Sequence, residues 1–276
     1  MTSKKNLIKT LGPGILFAST AIGVSHLVQS TRAGADYSFG LIAAIIIANL
    51  LKYPFFEYGS RYANSTGTSL IDGYKKMGKW MLILYFIITI STMFFVTAAV
   101  GMVTAGFMEN LFGIDTPMLM NSILFIICLL ILIIGKYSLL DSLIKIIGGV
   151  LLISTLLAFS LTLFHGPLHP QQFQLPDLFW SNKKDIGFLI ALMGWMPTAI
   201  DLSAWNSLWT IERIKQTGYK PSLKETLFDF NFGYLISALL SICFVTLGAY
   251  IMYGGNSVIS NNKAAFDLGG SFLGVG

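Results

Sequence analysis

The stretch that decides the fold is Gly12–Gly34, GPGILFASTAIGVSHLVQSTRAG. It opens as a membrane helix, with an apolar run over Gly14–Ile22. Gly23, Ser25, His26 and Gln29 then fall where a spanning helix should meet hydrocarbon. A glycine and polar side chains at that depth interrupt the helix and uncover backbone amides and carbonyls. Lipid cannot satisfy those groups, so they persist only where protein or a water-filled cavity covers them. The reading is a helix broken to line a substrate cavity; the alternative is a kink used only for packing.

A second stretch repeats the pattern. GWMPTAID, Gly194–Asp201, interrupts another apolar run. Pro197 removes a backbone donor and clashes with the preceding turn, and Gly194 loosens the same region. Interruptions at matching positions of two halves point to a transporter site.

The rest of the chain fits a polytopic membrane protein. Of its 276 residues 54% are hydrophobic and only 11% charged, against about 25% charged in soluble domains, and mean hydropathy is +0.71. A span needs roughly 20 apolar residues. Seven candidates follow: Leu11–Thr31, Phe39–Tyr58, Trp80–Phe107, Met118–Ile134, Leu143–Phe164, Ile186–Trp209 and Phe230–Tyr253. The two interrupted spans, first and sixth, stand five helices apart. Residues 11–164 then form a first five-helix repeat and 186–276 a partial second one, within a single transmembrane domain.

Loop charge gives the orientation. Twelve Lys and Arg fall on the side of the N-terminus, Lys136 between spans four and five among them, and four on the other. The N-terminus is expected in the cytoplasm. The net charge of +5 lies in short loops and implies no nucleic-acid partner; the lipid bilayer is the expected surroundings. Cys128 and Cys243 lie within apolar runs and read as core residues. There is no phosphate loop, nucleophile elbow or HExxH, so no enzyme is expected, nor a cofactor. The tail after Tyr253 is too polar for an eighth span, and the sequence is expected to continue past Gly276.

The breaks supply the candidate site. Asp201, about one turn past Pro197, is a carboxylate inside a span, which costs roughly 2.5–3.5 kcal/mol on insertion scales. It reads as a cation ligand, a proton carrier or both, or as an acid paired with Lys52 or Lys145. His26 reads as a ligand, a proton carrier or a hydrogen-bonding core residue. Met196 offers a thioether, which favours transition metals over Mg²⁺ or Ca²⁺, or packs in the core. Ser25, Gln29 and Thr198 add neutral oxygens, and Asn49 is placed to orient the broken segment.

These residues resemble the Nramp family of proton-coupled divalent metal transporters. The likeness rests on the GPG at Gly12–Gly14, Ala33–Gly34, ANL at Ala48–Leu50, Arg61, Thr66–Gly67, LFGI at Leu111–Ile114 and Met196–Pro197. It implies an all-α, LeuT-like inverted-repeat fold with helices one and six broken. It also implies a secondary-active carrier of divalent metal ions by alternating access, with the metal as substrate and protons as the coupled species. The family's first-helix motif is Asp-Pro-Gly-Asn; here Gly23, Val24, Ser25 and His26 stand there, without the charged ligand. Met196 stands at the family's metal-binding methionine, and the Met193 carbonyl matches a backbone ligand one turn earlier. Thr198 and Ala199 replace a His-Asn pair, and Thr97 and Val100 stand where the family's third helix carries acids.

The expected binding set is therefore Gly23, Ser25, His26, Met193, Met196, Thr198 and Asp201. His26, Met196 and Asp201 are the expected metal ligands, and His26 and Asp201 the expected proton carriers. Loss of the charged ligand keeps open a different solute on the same fold, and the partial second repeat keeps open a remnant that does not transport. A bacterial-type inner or plasma membrane is the expected location.

Overall fold

The computed structural model describes residues 9–113, 116–169 and 183–254, and among these no strand occurs. Residues 170–182 and the tail past residue 254 lie outside the described residues. The helices are α1 (Pro13–Ala21), a π-helical turn (Ser25–Ser30), α2 (Thr31–Tyr37), α3 (Ile42–Thr66), α4 (Leu70–Met77), α5 (Lys79–Phe112), α6 (Pro117–His165), α7 (Lys183–Trp195), α8 (Leu202–Thr217) and α9 (Leu223–Ile251).

Both expected interruptions are present. The first span is α1, the π turn and α2; the sixth is α7 and α8. Spans four and five differ from expectation. They form one helix, α6, of 49 residues, and no loop separates them at Lys136. The sequence between them, GKYSLLDS at 135–142, holds no proline and a single glycine, so nothing local stops the helix. Two apolar windows, Met118–Gly135 and Leu139–His165, follow one another along its axis.

Burial sorts the helices. The most apolar window of α5 has no buried residue, whereas 61% of that of α9 is buried. Phe95 on α5 and Ile133 on α6 are exposed. An outer shell this apolar is suited to lipid, and α9 is the helix around which the rest packs. It lies against α1, α2 and α3, while α3 also packs on α8.

Backbone proximity holds α9 to the first span. A β-carbon at Gly14 would overlap the Asp229 carbonyl, and one at Gly233 the Gly14 carbonyl. The pattern recurs further along: Gly34 abuts the Val245 carbonyl and Gly248 the Thr31 carbonyl. Small residues at such crossings let backbones approach and gain dispersion contacts that lipid cannot match. At the start of α1, the Asp229 carboxylate accepts the Gly12 N–H at 3.1 Å and the Gly14 N–H at 2.7 Å, satisfying donors a helix start leaves unpaired. Beside this crossing the Phe17 ring packs on Phe56, Phe230 and Tyr234 at 5.1–5.6 Å between centroids. Capping boxes at Ser69/Asp72 and Ser222/Glu225 start α4 and α9, a pattern readable from sequence.

The seam makes a direct prediction. Gly14→Ala or Gly248→Ala should destabilise the protein by about 3 kcal/mol, the upper range for overpacking. Gly149→Ala, where an added β-carbon meets nothing within 4 Å, should be neutral or better. Thermal unfolding of the full-length protein in detergent compares them.

Candidate functional site

Each break falls near the middle of a span. The 9 residues of α1 rise about 14 Å, and the 13 of α7 about 20 Å, against an apolar core of about 30 Å. After Ala21, Ile22 leaves helical geometry at φ −77° and ψ 65°. The Gly23 N–H bonds the Ala21 carbonyl at 2.8 Å, and the Gly23 carbonyl then accepts from His26 and Leu27 to begin the π turn. On the other side, the Met196 N–H closes α7 on the Leu192 carbonyl at 3.0 Å. The chain turns through 197–201, and Leu202 starts α8 with its N–H on Ala199 at 3.2 Å.

The breaks share one cavity of about 340 Å³. Gly23, Val24 and Ser25 line it from the first break, Thr198, Ala199 and Asp201 from the second, and Thr89, Thr92 and Thr97 of α5 close its side. Among the described residues Asp201 is the only charged one in the lining. It also lines an adjoining crevice of about 210 Å³ with Tyr74, Tyr85 and Ser203, so one carboxylate stands between two cavities. It makes no ion pair among the described residues. Lys145 is engaged by Asp141 at 2.6 Å, and Lys52 points at carbonyls.

The seven expected residues divide. Gly23, Ser25, Thr198 and Asp201 meet at the cavity; His26, Met193 and Met196 do not line it. The His26 ring is completely buried. Its Nδ1 lies 2.8 Å from the Ala21 carbonyl and 2.8 Å from Ser25 Oγ, and its Nε2 lies 2.9 Å from the Ser237 carbonyl. The ring therefore ties the first break to α9. Met196, fully buried among Ala33, Leu41, Ile45, Leu192 and Val245, accepts from Ser30 Oγ through Sδ at 3.6 Å. The Met193 carbonyl accepts from Lys52 Nζ at 2.9 Å. The metal set of His26, Met196 and Asp201 is thus not assembled round this cavity: wide π-helical turns and the reversal at 197–201 aim two of the three side chains into protein. No cluster of three or more His, Cys, Asp and Glu suited to a metal occurs among the described residues.

Asn49 also acts elsewhere. Its Nδ2 donates to Ile45 of its own helix, and its carbonyl accepts from the Tyr234 hydroxyl at 2.6 Å, joining α3 to α9. Sequence reasoning named Thr97 but missed Thr89 and Thr92 of α5, whose signal was the run ITISTMFFVT at 88–97 in an apolar helix. It noted Lys52 only as a partner for Asp201.

Most of the cavity wall is apolar, from Val24, Val96, Val100, Trp195, Leu202 and Trp205, and its polar atoms are few. Hydroxyls and one carboxylate are hard oxygen donors, and Met93 carries the only sulfur in the lining.

Comparison with known proteins agrees with this architecture. A family model described as natural resistance-associated macrophage protein-like, Nramp, matches residues 14–271. The chain is 37% identical over 253 residues to an uncharacterized protein of Pasteurella multocida (strain Pm70), covering 90% of this chain and 58% of that one. It is 24% identical over 266 residues to the divalent metal cation transporter MntH of Levilactobacillus brevis, covering 92% and 56%. Among solved structures it resembles the Eremococcus coleocola manganese transporter, crystallised with an aromatic bis-isothiourea substituted compound. That match has a TM-score of 0.66 and 16% identity, over 98% of this chain and 61% of the other. The fold is accordingly the all-α, LeuT-like one that the resemblance implied. The chain spans less than two thirds of the length of these relatives.

The place of His26 predicts a structural phenotype. His26→Ala should cost about 3 kcal/mol, since it cuts the polar tie between the first break and α9 and leaves a void. Cation-dependent stabilisation of the folded fraction should be unchanged. Unfolding of the full-length protein with and without Mn²⁺ reads both quantities.

Proposed function

The chain belongs to the Nramp family, and from that premise we propose that it forms the substrate-binding part of a secondary-active transporter of divalent metal cations. Members of the family are integral membrane proteins, and the apolar outer faces of α5 and α6 are in keeping with that. One observation carries the reading: two broken helices face a common cavity whose only charge is the Asp201 carboxylate. A transported cation must be attracted but also released, and one carboxylate among hydroxyls gives modest binding. With oxygen donors prevailing, the favoured cargo is a hard ion such as Mg²⁺ or Mn²⁺ that sheds only part of its water.

Asp201 is proposed as both cation ligand and proton carrier, because it borders the central cavity and the adjoining crevice. Alternating access then amounts to opening one side of the breaks while closing the other. Residues 11–164, counting the two apolar windows of α6 separately, are proposed as the first repeat and 186–276 as the start of the second. The proposal includes a bacterial-type inner or plasma membrane, a cytoplasmic N-terminus and transport without an enzymatic reaction. A second reading, an uncharged solute, is favoured by the absence of acids at Gly23, Thr97 and Val100, all of which line the cavity.

Reconstituted full-length protein should take up Mn²⁺ or Mg²⁺. Asp201→Asn should reduce uptake at least tenfold, and Asp201→Glu should retain part of it. Uptake of neither ion would overturn the metal reading in favour of the second one; full uptake by Asp201→Asn would overturn the role given to Asp201.

A further inference from the structure

The end of α7 is held by an unusual partner. A helix C-terminus leaves its last carbonyls unpaired, and at membrane depth there is little water to meet them. Here Lys52 of α3 supplies the donors. Its Nζ lies 2.9 Å from the Met193 carbonyl, 2.6 Å from the Gly194 carbonyl and 3.4 Å from the Thr198 carbonyl. An ammonium has three N–H donors and no acceptor, so this geometry uses all three. The carbonyls come from both sides of the break, which means that the ammonium bridges α7 to the loop leading into α8.

Charge and cost argue that this is more than a chance contact. Among the described residues no carboxylate lies within 4.0 Å of Lys52 Nζ. Carbonyl dipoles and the negative end of α7 balance the charge instead. The flanking residues are apolar, Leu50, Leu51, Tyr53 and Phe55, so the lysine is held in a span that would insert more easily without it. Three neutral oxygens converging on a positive charge resemble part of the coordination shell of an alkali cation, whose remaining ligands would be waters.

We propose that Lys52 is a tethered cation filling a carbonyl-lined subsite for Na⁺ or K⁺ at the break between α7 and α8. A divalent ion is the poorer fit, because three neutral carbonyls offer no anionic ligand. With the ammonium in place the break is stabilised without a free ion. Removing it vacates the subsite and makes the fold depend on a dissolved alkali cation. The inference concerns the scaffold beside the cavity and does not rest on which solute is carried.

Full-length wild type and Lys52→Ala are purified in detergent, and their thermal unfolding is compared in NaCl, KCl and N-methyl-D-glucamine chloride at equal ionic strength. Wild type should be indifferent to the cation. Lys52→Ala should unfold earlier in N-methyl-D-glucamine and recover by about 5 °C in Na⁺ or K⁺, rising with the logarithm of concentration as site binding requires. Lys52→Arg, which keeps a tethered charge, should remain indifferent. If Lys52→Ala is too unstable to purify, membranes are extracted in each salt and the monodisperse fraction is measured; a higher yield in Na⁺ or K⁺ supports the subsite. Equal behaviour of Lys52→Ala in all three salts, by either readout, overturns the proposal. So does an alkali-cation response in wild type equal to that of the variant. Neither readout involves transport, so failure of metal uptake and failure of this inference are separate results.

Discussion

Every feature of the site follows from one constraint: backbone amides and carbonyls released by a broken helix cannot be left to lipid. The first break uncovers the Ala21 carbonyl, and the His26 ring and Ser25 hydroxyl meet it at 2.8 and 2.5 Å. The second uncovers the end of α7, and the Lys52 ammonium meets that. The beginning of the first span is met by the Asp229 carboxylate. Three ionisable side chains at membrane depth, which composition alone would mark as functional, are here occupied with backbone. Asp201, which makes no ion pair among the described residues, faces open space instead.

That arrangement works only if the partners arrive at fixed distances. His26 and Asp229 act across the interface between α9 and the first span, and glycines at 14, 34, 233 and 248 set its spacing. A larger side chain at any of them would push the Ser237 carbonyl or the Asp229 carboxylate out of hydrogen-bond range. The seam and the polar contacts are therefore coupled: close backbones make the bonds possible, and the bonds make a broken helix tolerable there.

The consequence for the site is a division of labour within a few residues. Side chains aimed into protein hold the breaks; those aimed into the cavity stay available to a solute. Thr198 belongs to the second group, Met196 and His26 to the first, although Met196 and Thr198 are only two positions apart; Ser25 borders the cavity while its hydroxyl is spent on the Ala21 carbonyl. The cavity itself keeps one carboxylate and a few hydroxyls in a lining that is otherwise apolar.

How much of this was legible in the sequence depended on scale. Long apolar runs, the glycine and proline at the breaks and the family motifs each act locally, so the membrane class, the two interruptions and the fold were determined by sequence alone. The continuity of α6 was not, because the charges between its apolar windows suggested a loop while the residues themselves are compatible with helix. Nor were the roles of His26, Met196 and Lys52. Helical periodicity tells which side chains share a face only while the helix is unbroken. Across an unwound or π-helical segment that phase is lost, and the direction of each side chain is then decided by the backbone packed against it. Sequence located the two openings in the helices; the packing of α3 and α9 decided which of their polar groups close them and which are left facing the cavity.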